Sequence, residues 1–213
     1  MNIYKQVDPF IDYSKIKLVI FDVDGTLYNQ KKLRIFMIFK IIIFILFNPR
    51  KINEIRIIKE FREQRELRSF EQVPNINSAQ YEWVAEEHNL DPLIVKQIVE
   101  EWILNKPLKY LKKCRKKGVR TLFNKLKENK IKIAIFSEYP SKSKLEILGL
   151  KADLIISSTD SFINKFKPDP KGINYIINKF KINKLENCLF IGDRIDKDLV
   201  CANNASVKCL IVK

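Results

Sequence analysis

The sequence predicts an α/β fold, with a Rossmann-like parallel sheet core that has helices on both faces and an inserted α-helical cap domain. Short, nearly continuous apolar runs are typical of buried parallel strands. Helical patterns separate these runs, and strands that alternate with helices indicate a parallel sheet. The first two runs lie about 110 residues apart, far more than a direct crossover needs, so an insertion must separate them. The five runs are 16–22, 131–136, 154–157, 188–191 and 207–212.

Four helices are expected between the strands of the core. The first spans 119–130 and the second 142–148, where Gly149 supplies a stop signal. The third spans 170–180 and begins with a proline, which is favoured in the first turn of a helix. The fourth, 196–204, leads to the last strand. These helices would cover the two faces of the sheet.

The insertion is expected to be a small domain made of helices. It spans 28–107 and contains no glycine, so few tight turns are expected within it. The core then consists of 1–27 and 108–213. The helices predicted in the insertion are 33–47, 51–70, 78–88 and 92–105.

One run within the insertion is unusually apolar. Twelve of the 13 residues in 35–47 are apolar, with Lys40 in the middle. A spanning helix needs about 20 apolar residues, so this run is too short as well as charged. We expect a buried helix that ends at Asn48 and Pro49. The alternatives are a helix that lies on an anionic membrane surface or packs against a second subunit.

The net charge is the unusual feature of the composition. The 213 residues include 40 Lys and Arg against 25 Asp and Glu, a formal charge of +15, which is a general signal for a polyanionic partner. However, lysine outnumbers arginine 31 to 9, and base recognition favours the planar arginine fork. The excess lies in 31–70 and 106–132, on either side of an acidic block at 71–105. We therefore do not expect a nucleic-acid partner.

The N-terminal stretch indicates where in the cell the protein is expected. Residues 1–15 contain no apolar run of the kind that a signal peptide requires, and they include Asp8 and Asp12. The sequence therefore predicts a cytoplasmic protein.

Polar side chains follow the predicted strands at their carboxyl ends, which meet at one edge of a parallel sheet and bind ligands there. Carboxylates that lie close together repel one another, and a bound cation would neutralise them. Oxygen ligands are typical of Mg²⁺ sites, and Mg²⁺ commonly also binds a substrate phosphate. A lysine at the same edge suits a phosphoryl oxygen. The residues concerned are Asp22, Asp24, Ser137, Lys165, Lys167, Asp193, Asp196 and Asp198.

Four segments that contain these residues resemble, in order, the motifs of the haloacid dehalogenase superfamily. They are Phe21–Leu27 (FDVDGTL), Ala134–Ser137 (AIFS), Lys165–Pro170 (KFKPDP) and Gly192–Asp198 (GDRIDKD). The resemblance extends over 16–212, and the helical-cap subclass of that superfamily places its cap between the first two motifs, where this chain has its insertion. The segment after Ser137, Glu138-Tyr139-Pro140, departs from the small or amide residue that the family often has there.

The resemblance implies a role for each residue. Asp22 would be the nucleophile that forms an aspartyl-phosphate, and Asp24 would protonate the leaving oxygen and then activate water. Ser137 and Lys167 would bind the phosphoryl group. Mg²⁺ would be held by Asp22, the backbone carbonyl of Asp24, Asp193 and Asp198. Lys165 is the rival of Lys167, and Asp196 does not fit the motif spacing.

The predicted function is therefore that of a phosphoric monoester hydrolase: a magnesium-dependent phosphatase acting on a small phosphorylated metabolite. In the superfamily, an acidic residue at the position of Asp24 separates phosphatases and phosphomutases from dehalogenases. A sugar phosphomutase is the first alternative. A protein that binds a membrane or a partner through its basic, hydrophobic cap is an alternative of a different class. The side chains expected near the entrance are Tyr28, Asn29, Arg34, Arg62 and Arg65.

Overall fold

The computed structural model describes residues 13–212 of the chain, except for the side chain of Tyr13. Residues 1–12 and 213 of the predicted core lie outside the described residues, and so does most of the stretch on which the cytoplasmic prediction rests. The described part contains five parallel strands in the order β3-β2-β1-β4-β5, which confirms the predicted fold class. The strands are β1 (Leu18–Phe21), β2 (Lys132–Ser137), β3 (Leu154–Ser157), β4 (Cys188–Gly192) and β5 (Lys208–Ile211).

Strand β1 occupies the centre of the sheet and determines where the site lies. It pairs with β2 on one side and β4 on the other, so that Phe21 is level with both Ile135 and Ile191. The chain leaves β1 towards β2 and β3 and later returns to the opposite side of β1 as β4 and β5. This reversal opens a crevice at the carboxyl end of β1, which is where ligands bind in open parallel sheets.

Helices cover both faces of the sheet because alternate strand residues point to opposite sides. Val19 and Phe21 face one layer, and Leu18 and Ile20 face the other. The first layer is α5 (Leu108–Cys114), α6 (Val119–Glu128) and α7 (Lys142–Leu148); the second is α8 (Lys171–Lys179) and α9 (Val200–Asn204).

The segment between β1 and α5 is helical and has a hydrophobic cluster of its own. The cluster includes Phe61, Val84 and Val99, and it is separate from the two clusters on the sheet. The helices are α1 (Gln30–Phe47), α2 (Ile52–Leu67), α3 (Ile76–His88) and α4 (Pro92–Val99), followed by a π-helical turn at Glu100–Asn105. The cap boundary at 28–107 stays a prediction, and we call this segment the helical insertion.

The expectation that 35–47 is buried in the insertion is wrong. Only Leu33 of α1 is fully buried, and the inner side of the helix packs through half-buried residues such as Met37 and Phe44. Seven large apolar side chains on the other side are 50% exposed or more. An apolar pattern all round a helix predicts burial on every side, but its neighbours, such as Tyr110 of α5 and Trp102 of the π-helical turn, cover one side only. The exposed residues are Ile35, Ile38, Phe39, Ile42, Ile43, Leu46 and Phe47.

Candidate active site

The six predicted site residues lie together at the carboxyl edge of the sheet. Asp22 and Asp24 follow β1, Ser137 ends β2, and Asp193 follows β4. They line one cavity of about 450 Å³ between the sheet and the helical insertion. The full set is Asp22, Asp24, Ser137, Lys167, Asp193 and Asp198.

Asp22 is held in one orientation by its neighbours. Its backbone N–H donates to the Ile191 carbonyl of β4 at 2.9 Å. Its side chain is 6% exposed; Oδ1 accepts a hydrogen bond from Lys167 Nζ at 2.9 Å, and Oδ2 accepts one from Thr26 Oγ1 at 3.0 Å. A buried carboxylate fixed in this way presents its oxygens to the cavity without further reorganisation.

Lys167 places a positive charge between two carboxylates. Its Nζ lies 2.8 Å from Asp198 Oδ1 as well as 2.9 Å from Asp22 Oδ1. Burial lowers the pKa of Lys167, but Asp198 and Asp22 outweigh this effect and raise the pKa above its usual value. The side chain is therefore an ammonium at neutral pH. Of the two lysines in this segment, Lys167 and not Lys165 lines the cavity.

Asp22, Asp193 and Asp198 form a carboxylate cluster. One oxygen from each lies within 4.8 Å of the others. Burial, and the negative charge of Asp198, raise the pKa of Asp22 to about 7 and that of Asp193 to about 6, although the neighbouring lysines act in the opposite sense. Asp198 is oriented by the backbone N–H groups of Asp193 and Arg194, which each donate to Oδ2 at 3.0 Å.

Two glycines allow these carboxylates to approach the backbone. Gly25 has a φ of +94°, which side-chain-bearing residues rarely adopt, and a Cβ there would lie 2.0 Å from Asp193 Oδ2. A Cβ on Gly192 would lie 2.4 Å from Asp198 Oδ2. Glycine is thus needed in the first and fourth motifs, because a side chain at either position would collide with a carboxylate of the site.

The donor set of the cluster fits a divalent metal ion. Three carboxylates offer oxygen atoms only, which suits Mg²⁺ better than a softer ion. Burial and the charge of neighbouring carboxylates both raise the pKa values of Asp22 and Asp193, and a divalent cation bound between them would stabilise their ionised forms.

The Asp24 carboxylate lies apart from this cluster and has its own partners. Oδ1 accepts a hydrogen bond from the Tyr28 hydroxyl at 2.6 Å, and Lys144 Nζ lies 2.5 Å from Oδ1 and 2.7 Å from Oδ2. Burial raises the pKa of Asp24, but Lys144 and Tyr28 more than offset this, and the pKa lies below its usual value. Asp24 is therefore a carboxylate at neutral pH in this structure.

Glu138, at the position that departs from the family pattern, connects the sheet to the helical insertion. Its Oε1 accepts a hydrogen bond from the Lys167 backbone N–H at 2.8 Å, and its Oε2 lies 3.3 Å from the Arg65 guanidinium of α2. Arg65 also donates to the Glu138 carbonyl at 2.8 Å and to Gln80, and its guanidinium lies 4.2 Å from the Tyr139 ring centroid. Glu138 thus connects α2 to the loop that carries Lys167.

The remaining wall of the cavity is partly apolar and partly basic. Ser137 is 1% exposed, and its Oγ accepts a hydrogen bond from the Tyr139 N–H at 3.4 Å. Apolar side chains of the insertion, such as Met37 and Trp102, line the opposite side. Four of the five residues expected near the entrance also line the cavity, whereas Asn29 caps α1. The four are Tyr28, Arg34, Arg62 and Arg65.

Comparison with known proteins places this geometry in a family. The sequence profile of the haloacid dehalogenase-like hydrolases matches residues 16–206 of the chain. The chain belongs to the haloacid dehalogenase-like hydrolase family. The resemblance is thereby confirmed, and so is the prediction that the chain is an enzyme of the haloacid dehalogenase-like hydrolase type.

Several solved structures share the fold. A phosphatase from Thermococcus onnurineus is 20% identical, with 93% of this chain and 86% of that chain covered and a TM-score of 0.59. A 2-haloacid dehalogenase from Pseudomonas syringae is 16% identical, with 92% and 86% covered and a TM-score of 0.62. A β-phosphoglucomutase from Clostridium difficile is 16% identical, with 93% and 85% covered and a TM-score of 0.61. No curated protein matches the chain in sequence.

The sequence does not predict the contacts that two residues make in this hydrolase site. Lys144, in the first turn of α7, belongs to none of the four motifs and yet contacts Asp24. Arg65 was expected at the entrance, but it is 5% exposed and makes contacts on both sides of the cavity. The signal for Lys144 is its position at the start of a helix that follows β2, but spacing alone does not say which lysine of that helix points to the site.

Proposed function

We propose that this hydrolase is a magnesium-dependent phosphatase that cleaves a small phosphate monoester through an aspartyl-phosphate on Asp22. The observation that carries the proposal is the separation of the two acidic residues of the first motif. Asp22 lies in the carboxylate cluster with Lys167, whereas the Asp24 carboxylate lies outside that cluster with Tyr28 and Lys144. One acid is thus available as the nucleophile and the other for proton transfer.

In the first step, an Asp22 oxygen attacks phosphorus while the bond from phosphorus to the ester oxygen breaks. The Lys167 ammonium and the Ser137 hydroxyl bind the transferring group and stabilise its charge. The leaving oxygen takes a proton from Asp24. Asp24 gains this proton when the phosphate dianion enters the cavity, because a neighbouring negative charge raises the pKa of a carboxyl group.

In the second step, water attacks the phosphorus of the aspartyl-phosphate and loses a proton to Asp24, which is now a carboxylate. The bond from phosphorus to Asp22 breaks, inorganic phosphate leaves, and both acids are ready for another cycle. Tyr28 and Lys144 orient the Asp24 carboxylate through their hydrogen bonds. The helical insertion controls how much water reaches the site.

Mg²⁺ would be held by Asp22, Asp193 and Asp198, with the backbone carbonyl of Asp24 as a further ligand. When bound, the ion would neutralise these carboxylates and balance the charge of a phosphoryl oxygen. The substrate is a small phosphorylated metabolite, and the site of action is the cytoplasm; both statements remain predictions from the sequence.

The test is phosphate release from a panel of small phosphate monoesters, with and without Mg²⁺. We expect Asp22→Asn to lower kcat by at least about a thousandfold. Asp196→Asn is the matched control, because Asp196 is exposed and pairs with Arg194 outside the cluster. Wild-type activity in Asp22→Asn would rule out the covalent mechanism.

Analysis of the products separates the phosphatase from the sugar phosphomutase. A phosphomutase would use the same core residues but return the phosphoryl group to a sugar rather than to water. Release of inorganic phosphate in amounts equal to the alcohol formed supports the phosphatase. A rearranged sugar phosphate without phosphate release would replace this proposal.

A further inference from the structure

The outer face of α1 is the largest run of exposed apolar side chains on any helix in the described part of the chain. We define it as Ile35, Ile38, Phe39, Ile42, Ile43, Leu46 and Phe47. Phe39 is 63% exposed, Leu46 74% and Phe47 81%. A contiguous apolar surface of this kind marks a contact with a protein or a membrane.

The rest of α1 is fixed to the protein, so the outer face cannot turn inward. Phe36 stacks on Tyr110 of α5 with ring centroids 5.3 Å apart. Phe44 meets Trp102 edge-on at 4.9 Å, and Leu33 lies in the core cluster of the sheet. The helix is therefore held rigidly along its inner side and presents the outer face permanently.

The charged residues of α1 and of the turn that follows it are all basic. Residues 30–51 contain six basic side chains and no acidic one. Lys31 lies on the same side of α1 as Ile35, Ile38 and Ile42, because these positions follow a helical spacing of four, three and four. Arg50 follows the other end of the helix, and Lys40 lies between the two ends; Lys51, next to Arg50, pairs with Glu54 at 3.2 Å. The outer face is thus an apolar strip with cations along its length.

We propose that the outer face of α1 binds the surface of an anionic lipid membrane. Apolar side chains below the headgroups, with lysine and arginine at headgroup level, are the features of an interfacial helix. A second copy of this chain would instead bring two sets of cations, Lys31, Lys40 and Arg50 of each copy, together across an apolar contact, and their repulsion opposes such a dimer. The charge therefore selects anionic lipid as the occupant.

The helix would lie along the surface, because its inner side remains packed on the protein. Among residues 13–212, no helix is long and apolar enough to cross a membrane. Ile38 belongs both to the outer face and to the lining of the active-site cavity. Binding through this face would therefore place the cavity next to the lipid surface, whatever reaction the cavity performs.

Co-sedimentation with vesicles tests the proposal on the full chain. One set of vesicles is pure phosphatidylcholine, and the other contains phosphatidylglycerol as well. We expect binding to the anionic vesicles, weaker binding to the neutral ones, and a decrease as salt is raised. The variant Phe39→Gln/Leu46→Gln/Phe47→Gln should reduce binding at least about tenfold, because three large apolar side chains no longer enter the lipid.

The matched control is Phe70→Gln/Leu93→Gln, which removes exposed apolar side chains elsewhere in the insertion and should leave binding unchanged. Equal midpoints of thermal unfolding establish that the variants are folded. Failure of the wild type to bind anionic vesicles would overturn the proposal, and so would equal binding by the α1 variant. A dimer in sedimentation velocity that the α1 variant abolishes would assign the outer face to a second copy instead.

Discussion

The Lys144 ammonium lies 2.7 Å from Oδ2 and 2.5 Å from Oδ1 of Asp24, a carboxylate 120 residues earlier in the chain. Lys144 is 6% exposed, and its partner is half-buried. The two charges are therefore poorly screened by solvent, and the Lys144 ammonium stabilises the ionised form of Asp24. A helix on one face of the sheet thus influences the protonation of the proposed acid-base residue.

Replacing Lys144 should change the pH dependence of catalysis. In Lys144→Met the pKa of Asp24 is expected to rise, since burial would then act without the opposing ammonium. The limb of the pH–rate profile that depends on Asp24 should move to higher pH by about one unit or more. Lys144→Arg keeps the charge and should retain most of the wild-type profile. Lys142→Met, on the exposed side of α7, is the control; an unchanged profile in Lys144→Met would remove Lys144 from the acid-base role.

The metal-free protein should lose stability as pH rises from about 4 to about 7. The pKa values of Asp22, about 7, and Asp193, about 6, lie above the ordinary value of 3.8, so the folded state binds more protons in this range. Each of these groups can lower the free energy of unfolding by at most about 1.4 kcal/mol per pH unit. Urea unfolding at several pH values in a chelator measures the slope. Asp193→Asn should flatten it and Glu146→Gln, an exposed control, should not; a slope of opposite sign in the wild type would contradict the raised pKa values.

Gly25→Ala should impair the carboxylate cluster, whereas Gly149→Ala should not. Both glycines have a positive φ, so both substitutions carry a backbone penalty of about 1 kcal/mol. Only at Gly25 would the new Cβ collide with the site, 2.0 Å from Asp193 Oδ2; at Gly149 the nearest atom is 3.9 Å away. Thermal unfolding with and without Mg²⁺ separates the two effects. Equal stabilisation by Mg²⁺ in both variants would show that Gly25 serves the turn alone.

Removing Arg65 should destabilise the protein and weaken catalysis together. In Arg65→Met, Glu138 and Gln80 lose a buried partner, and we expect the free energy of unfolding to fall by about 2 kcal/mol or more. Activity should also decrease, since Glu138 holds the Lys167 backbone. Arg56→Met, at an exposed position of the same helix that does not line the cavity, is the comparison. Similar stability and activity in the two variants would mean that the Arg65 contacts are dispensable.

The position of the site residues could be predicted from the sequence, because it depends on which residues follow each strand along the chain. Once β1, β2 and β4 are recognised as parallel neighbours, Asp22, Ser137 and Asp193 must converge at one edge, and the structure brings them to one cavity. Their roles in catalysis remain proposals that the experiments above address.

Contacts between helix faces could not be predicted in the same way. Which lysine of α7 reaches Asp24 depends on the rotation of that helix, and the burial of Arg65 depends on how α2 meets the loop after β2. The exposure of α1 was missed for a related reason. Its apolar residues surround the helix, and the pattern does not indicate that the insertion supplies neighbours on one side only.

Glu138 connects the helical insertion to the loop that carries Lys167. Its two carboxylate oxygens contact different parts of the protein. One contacts the Arg65 guanidinium of α2, and the other accepts a hydrogen bond from the Lys167 backbone N–H beside the sheet. Displacement of α2 would therefore act, through Glu138, on the loop that carries the ammonium next to Asp22. Opening of the cavity by a movement of α2 would therefore also disturb the charge balance within it.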